Sequence, residues 1–189
     1  YYGLVALSTV VAIGGMLRDN TAVVIGAMVI APLIGPNMSL ALGTTLGDVT
    51  LLRRAILASL SGLAIGIAIS VGAGAFLPVD PAVPELALRA KVDYPDLVLA
   101  LAAGAAGAMS FTRGISASLI GVMVAVALLP PLVAMGLFVG AGMWELVWSS
   151  GLLLLTNVVS VNLAAVCTFL VQGVRPMKWY EEERARKAT

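Results

Sequence analysis

The chain has 189 residues, of which 60% are hydrophobic and 11% charged, with no histidine and a net charge of +1. A soluble domain carries roughly 25% charged residues, so the deficit excludes a water-soluble globular enzyme. Eleven Lys+Arg against ten Asp+Glu leave no basic face for nucleic acid, and the single cysteine, Cys167, excludes a disulfide framework or a thiolate metal cluster. No cofactor or metal site is implied.

The apolar runs are too long and unbroken for barrel strands, so the chain reads as an all-α polytopic membrane protein. Six segments are predicted: Tyr2 to Leu17, Thr21 to Leu46, Ala55 to Leu77, Asp96 to Phe111, Ile115 to Val139 and Leu146 to Gln172. The second, third, fifth and sixth meet the ~20 residues needed to cross ~30 Å of hydrocarbon. The first and fourth are short. The first is expected to have lost its start, because the chain opens on Tyr1 without a charged signal-peptide region. The fourth is read as a thin crossing. Between the third and fourth lies Pro78 to Pro95, whose four prolines disfavour a continuous helix, although Glu85 to Lys91 has room for two turns. The expected organisation is therefore a three-helix unit over 1–77, an external loop over 78–95, a second three-helix unit over 96–173 and a charged tail over 174–189.

Basic residues set the orientation. With both termini cytoplasmic, the inner side holds Arg53, Arg54, Arg113, Arg175, Lys178, Arg184, Arg186 and Lys187, and the outer side only Arg18, Arg89 and Lys91. Trp144 and Trp148 then mark the outer interface, Trp179 and Tyr180 the inner one. The expected location is the inner (cytoplasmic) membrane, multi-pass.

Shifted by 95 residues, the chain overlies itself. Between Ala22 and Asn37, seven of 16 positions are identical: Ala22/Ala117, Ile25/Ile120, Gly26/Gly121, Met28/Met123, Val29/Val124, Leu33/Leu128 and Pro36/Pro131. Chance would give roughly one or two. The register pairs span one with four, two with five and three with six. Three is odd, so the second copy enters from the opposite side, predicting a 3+3 inverted-topology repeat.

Both middle spans carry prolines: Pro32 and the Gly35-Pro36-Asn37 turn signature in the second, Pro130 and Pro131 in the fifth. The expectation is that the second and fifth helices are each broken into two halves. Unpaired backbone groups in hydrocarbon cost several kcal/mol each, so such joints persist only in protein or at a wet cavity. The ordinary alternative is a pair of packing kinks. Asn37 and Ser39 follow the first joint, while Thr156, Asn157, Ser160 and Asn162 lie in the middle of span six. Mid-span asparagines are expensive in lipid and should face the bundle interior, either as interhelical hydrogen bonds or as part of a permeation site. Gly35, Pro36, Asn37, Ser39, Pro130, Pro131, Thr156, Asn157, Ser160 and Asn162 are thus the candidate solute-binding residues; none is a candidate catalyst. No Asp, Glu, Lys or Arg falls deep in a span, which argues against a carboxylate relay or voltage sensor. Half-helix N-termini after Pro36 and Pro131 would favour an anion or polar neutral solute over a cation.

Small-residue seams at Gly62/Gly66, Ala102 to Ala108 and Gly136/Gly140 allow close backbone approach, within a protomer or between copies. A homo-oligomer in the lipid bilayer is the expected assembly.

The runs AVVIGAMVIAPLIGPNMSLALG, AAGAAGAMSF, GVMVAVALLPPLVAMGL and LLLLTNVVSVNLAA resemble those of an uncharacterised bacterial and archaeal membrane family, domain of unknown function three-eight-nine. The resemblance covers most of the chain. It implies a polytopic domain, often preceded by a soluble region in full-length members, with motif positions falling on Gly35, Pro36, Asn37, Pro130, Pro131, Asn157 and Asn162. It supplies no substrate and no activity.

The leading expectation is a non-enzymatic transporter or channel for an unidentified small solute or ion, with a midplane site at the two proline joints. A membrane anchor or signalling scaffold for a soluble region absent from this chain is the alternative; on it, Pro36→Ala and Asn157→Leu affect assembly but no transport. Lipid handling in a lateral groove is a third. A cavity reaching Asn37 or Asn157 favours transport.

Overall fold

The computed structural model describes residues 1–114 and 117–174, with side chains from residue 124 onward in the second stretch. Every regular element in it is helical: α1 (Tyr2–Leu17), α2 (Thr21–Ile30), α3 (Ile34–Leu46), α4 (Val49–Phe76), α5 (Pro84–Ala87), α6 (Tyr94–Thr112), α7 (Ala117–Gly140) and α8 (Trp144–Val171). Among the described residues, α4, α6 and α8 are long and apolar enough to cross a membrane, and α2 with α3 makes a fourth if counted as one bent span. The residues from Arg175 onward expected on the inner side, with Trp179 and Tyr180, lie outside the described residues.

Helix boundaries follow local chemistry. Asn20 caps α2, its side chain accepting from Val23 N at 3.1 Å. Asp48 caps α4, accepting from Thr50 N (2.9 Å) and Leu51 N (3.0 Å). Immediately before it, Gly47 ends α3 at φ +66°, a left-handed C-cap that favours glycine. The two turns expected over Glu85 to Lys91 shrink to one, α5, which Pro84 opens at its first position. Span four is a full 19-residue helix with Pro95 in its first turn.

The second span is broken, but at Ala31-Pro32-Leu33, where α2 and α3 meet at a 56° bend. Ala31 is driven extended (φ −66°, ψ 118°) because the following Pro32 crowds its backbone. Pro36 lies inside the first turn of α3, where its missing N–H would have no intrahelical partner anyway. Gly35-Pro36-Asn37 therefore helps begin a half-helix; it is not the turn expected of it.

The fifth span is not broken. The expected joint at Pro130-Pro131 is a continuous stretch of α7, with both prolines inside the helix and buried. Two features explain the difference. The position equivalent to Pro32, which opens the second span, is Ala127, so α7 has no proline at the point of the break. From Val124 to Phe138, moreover, all but Val126 and Met135 are buried, so neighbouring helices hold α7 on nearly every side. No half-helix N-terminus follows Pro131, and the one in the second span precedes Pro36, so of the two N-termini expected to favour an anion only that of α3 is present.

Packing repeats between the halves. Helix α1 packs on α2 as α6 does on α7; α3 packs on α4 as α7 does on α8; α1 packs on α4 as α6 does on α8; and α4 packs on α7 as α8 does on α3. The correspondence reaches single residues. Gly66 of α4 faces Thr9 of α1, while Gly104 of α6 faces Val161 of α8, the same pair displaced by 95. The glycine seams are filled from within the chain: Gly74 and Gly140 lie against the backbones of Leu137 and Val71, and Gly136 against Ser70. Their backbones approach too closely for a Cβ, as small-residue interfaces permit.

Candidate functional site

The proline of α7 and the asparagine of α8 solve one problem together. Pro130 and Pro131 have no N–H, so the carbonyls four residues earlier, on Val126 and Ala127, lose their helical donors. Asn157 Nδ2 donates to the Ala127 carbonyl at 2.8 Å, standing in for the missing amide of Pro131. Asn157 is 5% exposed, and its Oδ1 has no hydrogen-bond partner.

A parallel arrangement serves the bent span. Asn37, also buried, donates from Nδ2 to the Leu33 carbonyl at 2.8 Å, bracing the start of α3. Its Oδ1 accepts from Asn162 Nδ2 of α8 at 3.2 Å, while Asn162 Nδ2 also donates to the Val158 carbonyl at 2.9 Å. The amides of Asn37 and Asn162 thus join the two halves across the bundle.

Two cavities adjoin these amides. The smaller, about 40 Å³, lies between the two proline regions and is lined by Leu33, Pro36, Asn37, Leu128 and Val158, with Tyr1, Ser59, Leu40 and Leu63. It has room for about one water, whose share of liquid is ~30 Å³. The larger, about 250 Å³, runs from Arg89 and Asp96 (first turn of α6) past Leu99, Ala100, Ala102 and Ala103 to Val126, Ala127 and Asn157. Leu99 and Val126, 63% and 41% exposed, form its outer edge. Apolar walls with a few polar groups are the usual make-up of a small-molecule site.

The expected site residues divide accordingly. Pro36 and Asn37 line the smaller cavity and Asn157 the larger, while Asn162 lines neither and meets Asn37. Pro130 and Pro131 act by withdrawing backbone donors. Ser160 Oγ returns its hydrogen to the Thr156 carbonyl at 2.7 Å, so this pair satisfies itself along α8. Gly35 is exposed with open space beside it, and Ser39 of α3 lines neither cavity.

Three polar residues outside that set matter. Arg89 and Asp96 frame the larger cavity, and the Arg89 Nε is buried without a partner. Glu85 of α5 is 5% exposed; it accepts from the Thr21 hydroxyl, and its backbone N–H donates to Asp19 Oδ1 at 3.2 Å. The 78–93 segment is thereby tied to the corner between α1 and α2, with Leu86 fully buried. The acidic start of α6 and the Glu85-to-Lys91 stretch were visible signals, but not their meeting with buried partners.

A family model described as "Domain of unknown function (DUF389)" matches residues 28–163. An uncharacterized protein of Methanocaldococcus jannaschii is 40% identical over 186 residues, covering 98% of this chain and 58% of its own length. The chain therefore spans little more than half of that relative. No solved structure matches.

Proposed function

We propose, for a chain that belongs to the DUF389 family, a non-enzymatic membrane transporter or channel for a small solute, built as a 3+3 inverted repeat. The observation that carries this reading is the cavity of about 250 Å³ between α6, α7 and α8, which reaches the unpartnered amide oxygen of Asn157 beside a proline-bearing helix. Transporters of this architecture hold their solutes beside mid-span helix irregularities, and Pro130 and Pro131 give α7 one next to this cavity, within the second half of the chain.

The repeat has separate support. The smaller cavity is lined by both Leu33 and Leu128 and by both Leu63 and Val158, two pairs whose members lie 95 residues apart. A pseudo-twofold axis through this cavity would bring equivalent residues to face one another in this way. Six crossings in alternation also agree with the docking of α5 on the α1–α2 corner, since both belong on the outer side with Arg18, Arg89 and Lys91. On that topology Arg53, Arg54 and Arg113 lie inside, with both termini cytoplasmic in the inner membrane.

The test is flux through proteoliposomes containing the full-length protein, against a broad panel of small solutes. Solute-dependent uptake or current that Asn157→Leu abolishes, with the variant still monodisperse, is the expected result. Absence of any flux across the panel would turn the reading toward an anchor or scaffold. One observation favours a second reading, lateral entry of an amphiphile: the exposure of Leu99 and Val126 at the cavity edge. It predicts stoichiometric co-purified lipid displaced by Ala103→Leu.

A further inference from the structure

The larger cavity has a chemical signature that narrows what it accepts. At one end stand a cation and an anion, Arg89 and Asp96. Arg89 Nε is buried without an acceptor. Asp96 spends one carboxylate oxygen on its own helix start, where Oδ2 accepts from Asp93 N at 3.2 Å, leaving its charge at the cavity. At the other end, Asn157 Oδ1 lacks a donor, and Val126 lost the helical donor to its carbonyl when Pro130 took that place in α7. Between them the walls are the small or apolar side chains of Leu99, Ala100, Ala103, Val126 and Ala127.

Each simple ligand class meets an opposing group. A carboxylate alone suits Arg89 but meets Asp96. An amine alone suits Asp96 but meets Arg89. A neutral polar solute lacks the carboxylate that would answer the buried, unpartnered Arg89 Nε, and leaving such a donor unsatisfied costs about 1–3 kcal/mol. A zwitterion answers both charges at once. A volume of about 250 Å³ equals the liquid share of roughly eight waters at ~30 Å³ each, which suits a compact metabolite. Resting on the reading of this cavity as the solute site, we propose that it binds a small α-amino acid with a short side chain. The carboxylate lies on Arg89 and the ammonium on Asp96. Asn157 Oδ1, at the other end, is left for a donor on the side chain.

The experiment is equilibrium binding of radiolabelled L-alanine and L-serine to the purified full-length protein in detergent. L-lactate and ethylammonium, which each carry half of the charge pair, serve as competitors. We expect saturable binding of at least one amino acid, with each half-ligand competing at least about tenfold more weakly. Arg89→Gln and Asp96→Asn should each weaken amino-acid binding about tenfold or more. Asp96→Asn, which keeps an acceptor for Asp93 N, should also narrow the gap between alanine and lactate by removing the repulsion. Ala103→Leu should abolish binding by filling the cavity while leaving the Asn157–Ala127 hydrogen bond in place. If neither amino acid binds, or lactate matches alanine and Asp96→Asn leaves their ratio unchanged, the assignment is overturned. The flux measurement separates the two claims. Amino-acid binding without flux retains this assignment and removes transport; Asn157-dependent flux of other solutes without amino-acid binding does the reverse.

Discussion

In α2–α3 the chain gives up helix for three residues, Ala31 to Leu33, whereas α7 carries two consecutive prolines without interruption. Shifted by 95 residues, Pro130 and Pro131 fall on Gly35 and Pro36, while Pro32 at the break falls on Ala127; each stretch nonetheless has a side-chain amide on a carbonyl at the disturbed point, Asn37 on Leu33 and Asn157 on Ala127. The first amide comes from the same helix and braces a bend. The second comes from a neighbouring helix and replaces a backbone donor, so no bend is needed. Proline in a buried helix is therefore a question about neighbours as much as about the helix that contains it. The halves differ at the cavity too. Positions equivalent to Asp96 and Asn157 are Tyr1 and Gly62; there the Tyr1 ring lies over Gly62 and its hydroxyl donates to the Ala58 carbonyl at 3.1 Å, filling the space that is open in the second half.

The largest expected contrast is at the paired contacts Thr9/Gly66 and Gly104/Val161. A Cβ on Gly104 would strike the Val161 backbone, which cannot yield, whereas one on Gly66 would chiefly strike the end of the Leu132 side chain, which can turn away. Gly104→Ala should therefore cost about 1–3 kcal/mol or more, as overpacking does, and Gly66→Ala clearly less. Thermal unfolding of the full-length protein in detergent measures both; equal costs would break the distinction.

Next comes the borrowed donor. Asn157→Leu should destabilise by about 1–3 kcal/mol because it strands the Ala127 carbonyl. In a Pro131→Ala background the helix supplies its own N–H, and the same change should cost well under about 1 kcal/mol. A double-mutant cycle with additive effects would refute the substitution of side chain for backbone. Smaller still is the Asn37–Asn162 link, for which a cycle of leucine substitutions should give a coupling near ~0.6 kcal/mol, the average for such bonds in membrane helices. Pro32→Ala should shift stability least, within about 0.5 kcal/mol, since Met28 regains a donor while Asn37 already holds the joint. Its effect should appear instead as a reduced angle between spin-labelled α2 and α3.

Much of this architecture is legible in the amino-acid order. The first apolar segment coincides with α1, and the fourth, doubtful for its length, is extended by Asp93, Tyr94 and Pro95, whose capping chemistry starts α6 earlier than hydropathy alone implies. The candidate site was legible in its asparagines only as far as their hydrogen bonds, because a mid-span amide must find partners. The break was misplaced because Gly35-Pro36 reads as a turn in isolation, yet the same residues fit a helix's first turn once Pro32 has already opened the chain. The continuity of α7 was hidden because the donor that permits it sits 26 residues downstream of Pro131, on another helix. Glu85 and Arg89 look like ordinary loop charges; only the docking of α5 on the α1–α2 corner buries the first, and only the meeting of the loop with α6 gives the second a role.

The hydrogen bond from Asn157 to Ala127 makes two distant positions a single heritable unit. A lineage that replaces Pro131 with any residue bearing an N–H releases Asn157 to drift. One that loses Asn157 while Pro131 remains should be purged. Sequences diverging from this one should therefore show the two changes in a fixed order, with the proline always leaving first.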